Sequence, residues 1–120
     1  MKDIIKTLEA AVIAETERAI AERGKFVDVN HALGVMEEEL HEVNTEQNKL
    51  RAYHTRYRES VFDDDVTGLL VNATALKTTA IMAAAELVQV AAMAEKTAMY
   101  CTEEMDRLNR IKLFGGTENE

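Results

Sequence analysis

Apolar side chains recur along most of this chain at the intervals that place them on one face of an α-helix. In the first segment Ile4, Leu8 and Val12 follow one another at four-residue spacing. This pattern predicts a first helix over residues 3–23, and Gly24 is the expected stop because glycine readily adopts the conformation that ends a helix.

A second helix is predicted over residues 31–57, after a connection over residues 25–30. Its apolar residues are separated by three, four or seven positions, so they would form one stripe along the helix. They are Leu33, Met36, Leu40, Val43, Leu50 and Tyr57. A stripe of this kind must be covered, and the expected partner is another helix.

The acidic segment FDDDVTG, residues 62–68, interrupts the pattern and offers Asp64 or Asp65 as an N-cap. A long helical stretch follows. Gly68 and the β-branched segment VNATALKTT, residues 71–79, predict a short helix before the main one, with a bend between the two.

The composition points to the same fold class, because the chain has no proline, only five glycines and many residues that favour helices. We predict an all-α protein, with a single helical domain over residues 1–114 and a flexible tail over residues 115–120. An amphipathic second helix and a nearly all-apolar third have more apolar surface than a monomer can cover. Self-association, with a dimer as the minimum, is therefore the expected completion of the fold.

A formal net charge of −8 opposes the phosphate backbone, so nucleic acid is not an expected partner. The one cysteine, Cys101, cannot form an internal disulfide, which favours a cytoplasmic protein. The longest apolar-rich run, residues 80–94, is shorter than a membrane span and holds Glu86 near its middle. No membrane partner is expected.

Two polar residues, Glu86 and Gln89, stand three positions apart in that apolar run, on one face of the helix. An isolated buried carboxylate costs several kcal/mol or takes up a proton, so Glu86 needs a partner. Lys77, Lys96 or an arginine of the second helix could supply it. A cation shared with acids of another helix is the second explanation.

The second helix provides such acids in the segment VMEEELHEVNTEQ, residues 35–47. At about 100° per residue, Glu39 and Glu42 border the apolar stripe, whereas Glu38 points mostly away from it. If these two acidic helix edges face each other, they form an oxygen-rich site for Mg²⁺, and this second explanation accounts for both helices together.

These segments resemble the MazG-like, all-α nucleotide pyrophosphatases, whose signature is E-E-x-x-E on one helix and E-x-x-D on a later one. The first motif is EELHE, residues 38–42, and the second is ELVQ, residues 86–89. The surrounding residues look especially like the small phage and prophage members of that family. The resemblance implies an antiparallel helical bundle, completed by oligomerisation as a dimer or tetramer, in which Mg²⁺ binds a nucleoside triphosphate. It also implies hydrolysis between the α and β phosphates to a monophosphate and pyrophosphate.

By position, the resemblance makes Glu39, Glu42 and Glu86 metal ligands and catalytic residues. Gln89 stands where the family has aspartate, so one charge is lost while a carbonyl oxygen able to coordinate remains. Glu38 matches the first acid of the motif and is predicted to be catalytic as well, as a ligand or in the surroundings of the ligands. Lys96 is a candidate for binding the phosphates, and its alternative is a surface lysine.

Two other classes of function stay open. A di-iron site is suggested by Glu38 and His41, an E-x-x-H pair, although a second such pair is missing. The other is a non-catalytic phage protein with an interaction or structural role, whose acids only aid solubility and whose Glu86 is paired with a basic residue.

Overall fold

A computed structural model of the chain describes residues 1–115, and its regular structure there is entirely helical. The helices are α1 (Lys2–Arg23), α2 (Val29–Phe62) and α3 (Val66–Phe114). The predicted all-α class is confirmed. The predicted tail over residues 115–120 lies, apart from Gly115, outside the described residues.

The ends of the first two helices follow from local chemistry. Helix α1 stops at Gly24, which has φ 77° and donates its N–H to the carbonyl of Ile20 at 2.7 Å, as the sequence predicted. Helix α2 begins at Val29, two residues before the predicted start, because Asp28 caps it. The N–H of His31 donates to Asp28 Oδ1 at 2.7 Å.

Helix α3 is continuous, so the predicted bend within it is wrong. Asp65 caps the helix by accepting a hydrogen bond from the N–H of Gly68 at 2.9 Å, which confirms one of the two predicted N-caps. A Cβ at Gly68 would meet the Asp65 carboxylate and lie 2.9 Å from Ser60 Oγ. The glycine therefore fits the crowded start of α3. The Thr74 hydroxyl donates to the Leu70 carbonyl at 2.9 Å, so the hydrogen-bonding capacity of this side chain is used within the helix.

The described chain divides into two compact units. The first unit combines Met1–Met36 with the part of α3 from residue 91 onward. Its core consists mainly of small or flexible side chains, and the partly buried Val35, Met36 and Tyr100 pack against it. The buried members of this core are Ala19, Phe26, Ala32, Ala92 and Met93.

The second unit, Glu37–Val90, is a helical hairpin of the end of α2 and the start of α3. Near its turn the Ser60 carbonyl accepts the N–H of Asp65 at 2.9 Å, and Asn72 Nδ2 donates to Ser60 Oγ at 3.3 Å. The buried apolar residues of this unit are Val43 and Ala83. Many large apolar side chains are exposed instead: Leu40, Tyr57, Val61, Phe62, Val66, Leu70, Val71, Ile81, Met82 and Leu87.

Helix α3 is also long and apolar enough to cross a membrane, judged by length and composition alone. An 18-residue window of it has a mean hydropathy of 1.3, and 11% of that window is buried. The run over residues 80–94 is thus part of a longer apolar stretch, and the argument that it is too short does not apply to the whole helix. The absence of a membrane partner stays a prediction.

The cap at the start of α3 gives a first test. Replacing Asp65 with alanine leaves the N–H of Gly68 without its acceptor, and we expect the free energy of unfolding to fall by about 1 kcal/mol. Urea unfolding followed by circular dichroism measures this. The matched control is Asp63→Ala, which removes an exposed acid from the same turn; equal losses in the two variants would contradict the capping role.

Candidate carboxylate site

Three carboxylates converge across the hairpin of the second unit. One oxygen from each of Glu39, Glu42 and Glu86 lies within 4.8 Å of the others. Glu39 and Glu42 are neighbours on α2, and Glu86 reaches them from α3. Glu39 and Glu86 are half-buried, whereas Glu42 is exposed. The structure therefore joins the two acidic motifs that the sequence places 44 residues apart.

The antiparallel register of the hairpin explains the meeting. Asn72 contacts Ser60 close to the turn, and much further from it a carboxylate oxygen of Glu86 lies within 4.8 Å of one of Glu42. Residues with higher numbers on α3 thus lie beside residues with lower numbers on α2, which is the pattern of antiparallel helices. On α2 the acids flank buried Val43, because residues three or four apart share a helix face.

The close acids raise the pKa of Glu86 above the ordinary value for glutamate. The largest cause is the hydrogen bond with Glu42, followed by burial and then by the negative charges of Glu42, Glu39 and Glu46. Two carboxyl groups share a hydrogen bond only when one of them carries a proton. The raised pKa therefore means that Glu86 takes up a proton more readily than an isolated glutamate does.

No basic residue neutralises Glu86 within residues 1–115: it takes part in none of the ion pairs found there. Lys77, one predicted partner, is exposed. Lys49 pairs with Glu46, which borders the site; its Nζ lies 3.2 Å from Glu46 Oε1. The site is thus a concentration of negative charge with one lysine at its edge.

Glu46 belongs to the surroundings of the site, although we did not include it among the predicted ligands. It is half-buried and its charge contributes to the raised pKa of Glu86. Its position four residues after Glu42 was the available signal, since such neighbours share a helix face.

The remaining residues of the two motifs are less closely involved. Glu38 is exposed and is not part of the converging group. Gln89 is half-buried on α3, one turn after Glu86. His41 is exposed, and no histidine joins the carboxylates within the described residues. The pair suggested for a di-iron site is therefore not assembled with them.

Lys96 lies in the first unit and is only 5% exposed, so its interpretation as a surface lysine is wrong. Its Nζ lies 4.3 Å from the centroid of the Phe26 ring, a cation–π contact. Burial lowers the pKa of Lys96, and the positive charge of Arg23 lowers it further. Its predicted phosphate-binding role stays a prediction.

The carboxylate spacing fits a hydrated divalent cation. Around an octahedral Mg²⁺ with bonds of about 2.1 Å, neighbouring oxygens are about 3.0 Å apart and opposite oxygens about 4.2 Å. The three oxygens already lie within 4.8 Å of one another, so small rotations of the side chains suffice. Glu39, Glu42 and Glu86 are the residues that would hold the ion.

A separate open groove of about 250 Å³ lies in the first unit and contains none of the predicted site residues. It is lined by Glu95, Ala98, Met99, Thr102 and Glu103 of α3.

Comparisons of the chain with protein-family models, curated proteins and solved structures found no match.

The raised pKa of Glu86 predicts how stability depends on pH when no divalent cation is present. Because the pKa of Glu86 is raised in the folded protein, this group stabilises the fold fully below the ordinary pKa of glutamate. That contribution is lost as the pH rises through the raised pKa. Glu86→Gln removes the repulsion, so we expect the free energy of unfolding at neutral pH to rise by about 1 kcal/mol.

Thermal unfolding of wild type and variant between acidic and neutral pH, in the presence of a chelator, measures this effect. Glu95→Gln is the control, because Glu95 is an exposed acid on the same helix. The interpretation fails if Glu86→Gln and Glu95→Gln change the pH profile to the same extent.

Proposed function

We propose that this protein is a Mg²⁺-dependent nucleoside triphosphate pyrophosphohydrolase, which converts a nucleoside triphosphate to a monophosphate and pyrophosphate. The observation that carries the proposal is the convergence of Glu39, Glu42 and Glu86 within 4.8 Å. It is supported by the resemblance of the two acidic motifs to the MazG-like family. These motifs lie on α2 and α3, which pack against each other in the second unit.

The chemistry follows from charge. A triphosphate is a polyanion, and it can share a site with several carboxylates only if a divalent cation lies between them. When bound, Mg²⁺ neutralises phosphate charge and lowers the pKa of a coordinated water. The chain would contribute the three carboxylates that hold the ion.

The glutamine at position 89 is expected to lower the affinity of the site for Mg²⁺. An amide oxygen coordinates a cation but carries no charge, so the site has one carboxylate fewer than the family pattern. Mg²⁺ sites commonly use one or two carboxylates and complete their coordination with water and substrate phosphates. We therefore expect weak binding of Mg²⁺ alone and tighter binding together with the nucleotide.

Self-association is part of the proposal. The hairpin of the second unit exposes far more large apolar side chains than it buries: Leu70 is 67% exposed and Ile81 is 64% exposed. Exposed apolar surface of this extent is usually covered by a partner. We expect a cytoplasmic homo-oligomer in which hairpins form an antiparallel bundle, with neither nucleic acid nor a membrane as partner.

The same apolar surface supports a second candidate function, a non-catalytic phage protein that binds other helices in an interaction or structural role. This candidate requires no cation at the carboxylates. The response of Glu86→Gln to Mg²⁺ separates the two functions.

The proposal predicts that Mg²⁺ raises the melting temperature of the wild-type protein. A cation at 100 times its dissociation constant stabilises the folded state by about 2.7 kcal/mol. Glu39→Ala and Glu86→Gln should abolish the shift, because each removes a ligand. Glu59→Ala, which removes an exposed acid of α2 away from the group, should keep it.

The activity itself is measured as pyrophosphate released from a panel of nucleoside triphosphates with Mg²⁺. We expect Glu39→Ala to lower the rate by more than about 100-fold, since the loss of outer-shell groups alone costs about 10- to 100-fold. Release of orthophosphate alone, or activity that survives Glu39→Ala, would refute the proposed reaction. No Mg²⁺ shift in the wild type, with or without nucleotide, would favour the interaction protein.

A further inference from the structure

Helix α2 is divided by charge along its length. Residues 37–46 contain five glutamates and neither lysine nor arginine, whereas residues 49–58 contain Lys49, three arginines and no acid. The chain as a whole is acidic, so this basic half is a local exception. Within residues 1–115, neither Arg51 nor Arg58 takes part in an ion pair.

One exposed face of this helix includes residues from both the acidic half and the basic half. Within an arc of about 80°, seven side chains follow one another at intervals of three and four residues. This surface, which we call the outer stripe, consists of Glu37, Leu40, Asn44, Gln47, Arg51, Thr55 and Arg58, all of them exposed. The converging carboxylates Glu39 and Glu42 lie about 120° or more away from its centre, Arg51.

The charges of the outer stripe are complementary to those of a second outer stripe that runs in the opposite direction. About a midpoint between Gln47 and Asn48, Glu37 and Arg58 are equally distant in sequence. An antiparallel second copy would thus place Glu37 opposite Arg58 twice. A two-fold axis requires this kind of self-complementary surface.

The inner positions of the stripe also match in this register. Asn44 faces Arg51, and Leu40, which is 48% exposed, faces the methyl group of Thr55. A parallel arrangement would instead place glutamate against glutamate and arginine against arginine.

We infer that the outer stripe binds the outer stripe of a second copy of this chain, antiparallel and about a two-fold axis. This inference specifies one surface for the self-association proposed above, and it rests on that part of the proposed function but not on the hydrolysis. It leaves the converging carboxylates outside the contact. The spacing of the charges selects the antiparallel register, because opposite charges meet only in that orientation.

Charge reversal tests the inference on the full-length chain. Glu37→Arg creates two arginine–arginine contacts in its own homodimer, and Arg58→Glu creates two glutamate–glutamate contacts. For each variant we expect self-association to weaken by about tenfold or more in sedimentation velocity at low salt. The wild-type association should weaken in about 0.5 M NaCl, because salt screens charge pairs.

The decisive experiment mixes the two variants. In a mixed pair, arginine at position 37 meets glutamate at position 58, and the native Arg58 meets the native Glu37. We expect an equimolar mixture to associate as the wild type does, and the double variant E37R/R58E to do so by itself. Arg56→Glu makes the same charge change about 140° from Arg51 and should leave association unchanged.

Rescue in the mixture also shows that the variants are folded, and circular dichroism checks each one alone. A monomeric wild type overturns the inference, as does a mixture that associates no better than its components. An oligomer that both variants retain overturns it as well, while leaving self-association through another surface intact. Binding of a fluorescent oligonucleotide that Arg58→Glu abolishes, without a change in mass, would assign the stripe to a polyanion and overturn the inference.

Discussion

The mutual repulsion of Glu39, Glu42 and Glu86 is the constraint on which the proposed site depends. Like charges at about 4 Å repel by about 4 kcal/mol at the effective dielectric of a protein surface. The hairpin nevertheless keeps all three within 4.8 Å. The repulsion raises the pKa of Glu86, and a divalent cation would remove most of the repulsion.

The turn of the hairpin is what holds the acids in place. Asp65 caps α3, Ser60 of α2 accepts hydrogen bonds from Asp65 and Asn72, and Gly68 leaves space for the side chains of Asp65 and Ser60. These contacts fix the register of α3 against α2 at one end. Because helices are stiff, the same register applies where Glu86 meets Glu42, several turns away.

Charge and apolar surface have separate places on the hairpin. The carboxylates lie beside the line where α2 and α3 pack together, whereas large apolar side chains such as Leu70, Ile81 and Leu87 remain exposed. Because the apolar interior is small, the half-buried acids stay close to water, and the free-energy cost of their partial desolvation is modest. The exposed apolar surface in turn makes association with further helices favourable.

The sequence by itself determined the helical class, the stop at Gly24, an N-cap at Asp64 or Asp65 and the two acidic motifs, because these depend on interactions within a few residues. It misjudged the continuity of α3, since the Gly68 that indicated a bend instead relieves crowding between Asp65 and Ser60. That crowding involves side chains from both sides of the turn and has no local signature.

Only the tertiary structure decided what surrounds the polar residues of α3. Periodicity placed Glu86 on a helix face but left open whether a base or other acids would meet it, and the register of the hairpin selected the acids. Lys96 was compatible with a surface position until the Phe26 ring, 70 residues earlier, covered it. Partners distant along the chain are chosen by packing, which local spacing does not encode.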